Sequence, residues 1–349
     1  MVMKSESASR VNPDIPTLLL VNGNARRGQD AFSSVHSALA ARVRLVGAHL
    51  VTSPADMIRH IREGLEDGVR RFVIGGGDGT LSSAADVLHS TPGILGVLPL
   101  GTGNTFWHGL GLPAGLEQQI DFLAQGSVVR LDLGLAETPA GTKVFLNTLT
   151  LGVSERLVEM LTREAKSRFG YGAWVMEFHQ ALRRTPPFRV ELAYPDFVEH
   201  FHTRQLVVVN GRTIAAGIAA SPASSAQDGL LEVFRLGGPA WGSMLAVGIR
   251  LVSGHLLTAR EARYHQTSRV HIRTEPTMPL NIDGEIWQET PVSCRVLPRS
   301  LAVIAPAIDE DRPRRWPVVM RTIGPGHRLF SHAQPPGAPS LDDLSPPPA

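Results

Sequence analysis

A glycine-rich junction behind a short apolar run most restricts the fold of this chain. Arg71–Thr80 reads RFVIGGGDGT, so a buried strand runs into four glycines that surround one aspartate. Glycine lets the backbone approach a bulky ligand, and the N–H groups of such a loop, with a helix N-terminus behind it, can bind phosphate. Since a carboxylate would repel phosphate directly, Asp78 suits a Mg²⁺ ion or the acceptance of a proton. A plain turn with Asp78 as a helix cap is the open alternative.

A second apolar run ends in the same way. Ile94–Leu98 leads into PLGTGN, where Thr102 and Asn104 supply neutral donors and acceptors. Because the carboxyl ends of parallel strands share one edge of a sheet, the two loops are expected to hold one nucleotide from two sides. Two unrelated turns are the less favoured alternative.

The order of elements predicts two domains and a tail. Strands separated by helical stretches indicate an α/β N-terminal domain with a parallel sheet over 16–138. Short strands separated by turn residues favour a β-rich, sandwich-like C-terminal domain over 139–306. A long helix is predicted near Ser154–Arg184, and the proline-rich stretch 311–349 is predicted to be disordered.

Composition excludes several classes of protein. Lys and Arg total 34 against 32 Asp and Glu, and a net charge of +2 does not favour nucleic-acid binding. A single cysteine excludes a disulfide framework and a cysteine-cluster metal site. No run is apolar enough for a transmembrane helix and the N-terminus has no secretory pattern, so the expectation is a soluble cytoplasmic protein.

Further acids precede glycines downstream. Asp283 and Glu285 flank a glycine in LNIDGEIW, where the spacing alone favours a hairpin turn. Asp228, in QDGLL, suits a cation site with nearby carbonyls or a simple turn. The first strand leads into VNGNARRG, which nearly matches a P-loop, but Gln29 and Asp30 stand where Lys and Ser/Thr are required.

Together the motifs GGGDGT, PLGTGNTF, DGLL and IDGE resemble the diacylglycerol kinase catalytic-domain family, which includes bacterial soluble lipid kinases and sphingosine kinases. The resemblance covers roughly residues 16–306. It implies a nucleotide-binding domain similar to those of NAD kinases and 6-phosphofructokinases, followed by a lipid-substrate domain. It also implies Mg²⁺-dependent transfer of the ATP γ-phosphate to a lipid hydroxyl of the diacylglycerol, sphingoid-base or phosphatidylglycerol class.

The resemblance also implies roles for individual residues. Glu285, with Asp283 beside it, matches the family's proton acceptor, and Asp78 is a second candidate base that organises magnesium. Lys166 or Arg168 matches a phosphate-binding position. A structural magnesium site matches Asp228 with the carbonyls of Ser225 and Leu230. The expected nucleotide contacts are Thr52, Gly76, Gly77, Asp78, Gly79, Thr80, Leu81, Ser82, Thr102, Gly103 and Asn104.

Some positions depart from the family pattern. Thr105 stands where the family usually has Asp, Ser82 and Ser83 replace an Asn-Glu pair, and Gly23 replaces a proline. Two alternative functions therefore stay open, a soluble NAD kinase-like phosphotransferase and an inactive lipid- or nucleotide-binding module.

The expected partner is a lipid at the inner face of the membrane. No nucleic acid or protein partner is indicated, and a homodimer stays open. Trp241–Leu257 and Phe169–Phe178 are apolar enough to lie at a bilayer interface, although burial in the core is the favoured interpretation for both.

Overall fold

The computed structural model describes residues 9–152, 186–211, 213–215, 218–219, 224–236 and 262–306. The predictions for Ser154–Arg184, Trp241–Leu257, Phe169–Phe178 and the tail fall outside these residues. None of the described helices is both long and apolar enough to cross a bilayer. The described helices are α1 (Gly28–Ala40), α2 (Pro54–Glu66), α3 (Asp78–Leu88), α4 (Thr105–Leu110) and α5 (Leu116–Gln125). The described strands are β1 (Ser9–Arg10), β2 (Thr17–Asn22), β3 (Leu45–Val51), β4 (Arg71–Gly76), β5 (Ile94–Pro99), β6 (Ser127–Thr138), β7 (Gly141–Phe145), β8 (Thr148–Gly152), β9 (Phe188–Ala193), β10 (Val198–Thr203), β11 (Gln205–Val209), β12 (Thr213–Ala215), β13 (Ile218–Ala219), β14 (Leu231–Leu236), β15 (Ala262–Thr267), β16 (Arg269–Glu275), β17 (Pro279–Ile282), β18 (Glu285–Glu289) and β19 (Val292–Ile304).

The first half of the chain forms a parallel sheet in the order β3-β2-β4-β5. Alternate residues of β2 face opposite sides, because strand side chains point up and down in turn. Leu18 and Leu20 pack with α2 and α3, whereas Leu19 and Val21 pack with α1 and α5. The α/β domain with a parallel sheet covered on both faces is confirmed.

The last described strand, β19, returns to this sheet from the far end of the sequence. Ala302 pairs with Ile94 in parallel, and Val303 pairs with Val129 of β6 in antiparallel fashion. Farther along the same strand, Cys294 pairs with Val270 of β16. The sequence predicts two separate strands here, Val292–Leu297 and Leu301–Ile304, but the structure has one strand of 13 residues with an irregular register near its middle.

The second lobe is a β sandwich, as predicted. A six-stranded sheet in the order β15-β14-β11-β8-β17-β18 packs against β9, β10, β16 and the first part of β19. Its interior is formed by alternating apolar residues of both layers, such as Leu206 and Val208 on one side and Val190 and Ile272 on the other. The apolar run around IDGE is a hairpin, in which the Asp283-Gly284 turn joins β17 to β18.

The turn near residue 138 does not by itself separate the lobes. Thr138 pairs with Gly141 across the β6–β7 hairpin, and both strands belong to the large sheet. The boundary at residue 138 stays a prediction.

Candidate active site

Two glycine loops touch at the carboxyl edge of the parallel strands. β4 ends at Gly76, and Gly77 precedes α3. A Cβ added at Gly101 would lie 2.4 Å from the Gly77 Cα, and one added at Gly76 would lie 2.6 Å from the Thr80 Cβ. Real Cβ contacts are not this short, so only glycine permits the two loops to approach at Gly101 and the first loop to fold tightly against Thr80 at Gly76.

The start of α3 has free backbone donors. Gly77 gives no side-chain cap, and among the described residues nothing accepts a hydrogen bond from the N–H groups of Gly77, Asp78, Gly79 or Thr80. The first amides of a helix carry a partial positive charge. This edge of the sheet therefore presents a site for an anion such as phosphate.

The Asp78 carboxylate fastens the second loop to the first. Its two oxygens accept hydrogen bonds from the N–H groups of Thr105, at 2.9 Å, and Phe106, at 3.0 Å. Asn104 has a φ of 46° and closes its own loop through two hydrogen bonds with Gly101. Asp78 thus caps α4 from the neighbouring loop, a contact that its position in the sequence did not indicate.

The loop after β2 completes this edge. Asn22 Nδ2 donates to Thr80 Oγ1 at 2.9 Å, and Asn24 Nδ2 donates to the Thr52 carbonyl at 2.8 Å. Arg27 donates through Nη2 to the Pro99 carbonyl at 2.9 Å. The structure thereby brings Thr52 to the same edge as both glycine loops.

Glu285 reaches this edge from the second lobe. The β17–β18 turn places Oε1 only 3.1 Å from where a Gly79 Cβ would be, so the carboxylate lies against the first turn of α3. Its Oε2 accepts a hydrogen bond from Lys143 Nζ at 2.9 Å. Asp78 and Glu285 therefore stand at the same end of one helix, although about two hundred residues separate them in sequence.

Asp283 is buried and turned away from solvent, unlike Glu285. Its two oxygens accept from the N–H groups of Leu146 (2.7 Å), Asn147 (2.9 Å) and Thr148 (2.9 Å). Burial raises the pKa of the Asp283 carboxyl, and these three amides and the nearby Ser82 hydroxyl oppose that shift. With both oxygens taken by backbone, Asp283 supports the turn that carries Glu285.

Asp228 belongs to a second acidic cluster. It accepts from the Leu230 N–H at 3.0 Å, and its pKa is raised first by burial and then by the charge of Asp132. Asp132, which is 1% exposed, accepts from the N–H groups of Gly229 and Arg299, and burial raises its pKa as well.

Cation binding at Asp228 would depend on main-chain oxygens. No group of three or more His, Cys, Asp or Glu side chains that could hold a metal occurs within the described ranges. A cation there would therefore need carbonyls such as those of Ser225 and Leu230. No hydrogen bond within the described part of the chain joins Asp228 to the glycine loops.

Some residues near the candidate site were not singled out from the sequence, and two predicted positions lie outside the described residues. Lys166 and Arg168 are outside the described residues. Asp132, Lys143 and Asn210 were missed. Asp132 could have been noticed in the sequence, because burying a lone carboxylate inside the apolar run VVRLDLGLA costs free energy unless the carboxylate has partners. Asn210, whose amide donates to the carbonyls of Asp132 and Leu146, carried no such signal.

Comparison with known proteins agrees with this arrangement. The model of the diacylglycerol kinase catalytic domain matches residues 16–136, and that of the YegS C-terminal NAD kinase beta sandwich-like domain matches residues 148–305. The protein is therefore a two-lobed kinase with a sandwich domain joined to its α/β domain. It belongs to the diacylglycerol kinase catalytic-domain family of lipid kinases.

Individual relatives extend over most of the chain. A protein of Chromohalobacter salexigens named probable lipid kinase YegS-like is 26% identical over 327 residues, which cover 86% of this chain and 97% of the relative. One of the same name from Pseudomonas fluorescens is 28% identical, covering 85% and 96%. The solved structure of a diacylglycerol kinase from Bacillus anthracis Sterne has a TM-score of 0.66 at 22% identity, covering 84% of this chain and 97% of that one, and shows the shared fold.

Proposed function

We propose that the protein transfers the γ-phosphate of ATP to a lipid hydroxyl in a magnesium-dependent reaction. The observation that carries this proposal is the row of unpaired N–H groups at the start of α3, with the Glu285 carboxylate against the same helix turn. The N–H groups can bind a polyphosphate, and the carboxylate can accept the proton of an alcohol.

ATP fits the edge where the glycine loops meet. Backbone N–H groups of the α3 turn would bind phosphate oxygens without a side-chain cap in competition. Thr52, the Asn24 amide bonded to it, and Thr102 would border the rest of the nucleotide. Such fixed donors stabilise the charge of a transferring phosphoryl group more than flexible ones, because they need no reorganisation.

Glu285 is the better of the two downstream acids for accepting the hydroxyl proton. It is half-exposed, and within the described ranges Lys143 is the one side chain hydrogen-bonded to it, whereas Asp283 accepts hydrogen bonds from three backbone amides. Both Asp78 oxygens accept hydrogen bonds from backbone N–H groups of the second loop. Each oxygen keeps a further lone pair, so Asp78 can also coordinate a cation.

The residues present fit magnesium. Mg²⁺ prefers hard oxygen ligands and binds through one or two carboxylates together with substrate phosphates. Asp78 at the phosphate edge would hold such an ion. Asp228 is a second candidate position, where burial and then the charge of Asp132 raise the pKa of its carboxyl and a cation would offset the buried charge. When bound, magnesium neutralises charge on the phosphates.

The acceptor lipid would enter from the second lobe. Glu285 comes from that lobe, so an alcohol must approach α3 from the sandwich side. We propose that the lipid is taken from a membrane surface at the cytoplasmic face. Diacylglycerol, a sphingoid base and phosphatidylglycerol all present a hydroxyl suited to this transfer.

The test uses purified protein with radiolabelled ATP and magnesium. Mixed micelles with diacylglycerol, sphingosine or phosphatidylglycerol form the lipid arms, and NAD forms a separate arm. The proposal is supported if the wild type transfers label to a lipid and Glu285→Gln does not. Label in NAD instead of lipid would favour an NAD kinase-like activity, and ATP binding without transfer in any arm would favour an inactive module.

A further inference from the structure

Lys143 is a charged residue at the candidate active site, next to Glu285. It lies on β7, and its Nζ donates to Glu285 Oε2 at 2.9 Å. The Lys143 side chain is 20% exposed and that of Glu285 is 50% exposed. The pair therefore lies at the rim where the second lobe meets α3.

The backbone around Lys143 is fixed from two sides. The next residue, Val144, is buried and donates its N–H to the Asp86 carboxylate on α3 at 3.4 Å. The residues just beyond, Leu146 to Thr148, donate their N–H groups to Asp283. One short segment thus ties helix α3 to the turn that carries Glu285, and Lys143 stands at its start.

Glu285 differs from the neighbouring acids in the kind of partner it has. Nearby elements carry further charged side chains: Lys143 on β7, Asp78 and Asp86 on α3, and Asp283 in the same turn as Glu285. Those three aspartates all accept backbone N–H groups. Among the described residues, the only group that donates a hydrogen bond to Glu285 is the ammonium of Lys143.

We propose that Lys143 is a positioning residue, which holds the Glu285 carboxylate over the first turn of α3 where the alcohol must react. This role rests on the proposed function, because it acts through Glu285 as the proton acceptor. A side chain on a half-exposed turn samples several rotamers unless a partner restrains it. Lys143 supplies that restraint from β7, which is hydrogen-bonded to α3 through Val144 and Asp86.

The first test compares two substitutions at position 143. Lys143→Met keeps the length and removes the charge, and Lys143→Arg keeps the charge. We expect Lys143→Met to lower kcat about tenfold, with KM for ATP within about twofold of the wild type, and Lys143→Arg to recover most of the loss. Because a half-exposed ion pair adds little stability, Tm should scarcely change.

A matched control comes from the same hairpin. Arg295 of β19 pairs with Glu137 of β6 at 3.4 Å, and Glu137 lies opposite Thr142, next to Lys143. Arg295→Met removes a similar half-exposed ion pair without touching Glu285, so kcat should be unchanged. A fall in kcat equal to that of Lys143→Met would overturn the specific role of Lys143.

A double-mutant cycle tests whether Lys143 acts through Glu285. In a Glu285→Gln background, Lys143→Met should cause no further loss of kcat, because the group that it positions is already gone. An additive loss would contradict the proposal. A rise in KM for ATP at constant kcat would do so as well, because it would show that Lys143 binds the nucleotide.

A spectroscopic test separates this inference from the proposed function. The carboxyl ¹³C resonance of Glu285 can be assigned by its disappearance in Glu285→Gln. It should shift in Lys143→Met and return towards its original position in Lys143→Arg. If the wild type labels no lipid, the proposed function fails, while an unchanged ¹³C resonance in Lys143→Met overturns the positioning role independently.

Discussion

Asp283 and Glu285 are two positions apart on one hairpin, and their surroundings give them different chemistry. Asp283 is 7% exposed and accepts three backbone N–H groups, whereas Glu285 is half-exposed and pairs with one lysine. A buried carboxylate with all its partners supplied by backbone stabilises a loop. A half-exposed one beside the first turn of α3 can be reached by a reacting hydroxyl.

Substitution should separate these two roles. Glu285→Gln should lower kcat by about 10²- to 10⁴-fold, as expected for loss of a general base, with an unchanged Tm. Asp283→Asn should destabilise the protein by about 1–3 kcal/mol, because an amide cannot satisfy three buried N–H groups. Urea unfolding measures the stability of each variant, and steady-state kinetics measures its kcat. Normal stability of Asp283→Asn with complete loss of activity would instead make Asp283 a direct participant.

A metal prediction concerns Asp132 and Asp228. Both carboxyls have a raised pKa, so keeping them ionised in the folded protein at neutral pH lowers its stability. This loss of stability disappears below the ordinary carboxyl pKa of 3.8, where both groups are protonated in the folded and unfolded states. A divalent cation bound there should stabilise the folded protein by mass action. We expect millimolar Mg²⁺ at pH 7.5 to raise Tm by a few degrees in the wild type and not in Asp228→Asn. An equal rise in both proteins would place the cation elsewhere.

The sequence predicted some of these residues and could not predict others. The glycines of GGGDGT singled out Asp78, because they mark a loop that can approach a ligand closely. Glu285 was singled out only through the family resemblance, because the spacing of IDGE alone favoured a turn. The partners of these acids were not predictable. The amides that hold Asp283 come from residues 146–148, and the lysine that pairs with Glu285 is 142 positions away. Such contacts depend on how the two lobes pack, which local patterns do not encode.

At the scale of elements, helix α3 begins earlier than predicted. The apolar pattern predicts a helix over Leu81–His89, whereas the structure has Asp78–Leu88. Because glycine disfavours a helix interior, the sequence places Asp78, Gly79 and Thr80 in the glycine loop before that helix. In the structure they form its first turn, where an acid is favourable, and this turn carries the unpaired donors.

The contact between the glycine loops predicts the effect of one added methyl group. Gly101→Ala would place Cβ 2.4 Å from Gly77 Cα, so the loops must separate at a cost of about 1–3 kcal/mol. We expect the Kd for ATP, measured by calorimetry, to rise at least tenfold. Gly115→Ala is the matched control, since its nearest neighbour would be the flexible Gln118 side chain at 3.5 Å. Unchanged ATP affinity in Gly101→Ala would remove this loop from the nucleotide site.

For the whole molecule, β19 makes the two lobes depend on one another. It adds to the parallel sheet through β5 and to the sandwich through β16, and the described residues belong to one compact unit. The sequence predicted each lobe, because hydrophobic periodicity is local. It did not predict a shared strand, because no local pattern shows that Val292–Ile304 returns to Ile94.

This shared strand predicts that the lobes unfold together. Trp107 packs on the core of the first lobe and Trp287 on that of the second. Variants in which the other four of the five tryptophans are replaced by phenylalanine therefore report on each lobe separately by fluorescence. Their urea midpoints should coincide. Leu301→Ala in β19 removes a fully buried side chain of the first core and should lower both midpoints together, at a cost of about 2–5 kcal/mol. Ile286→Ala, at a position 69% exposed, should shift neither. If Leu301→Ala moved only the Trp107 transition, the lobes would be independent domains, and the boundary near residue 138 would then mark a true division.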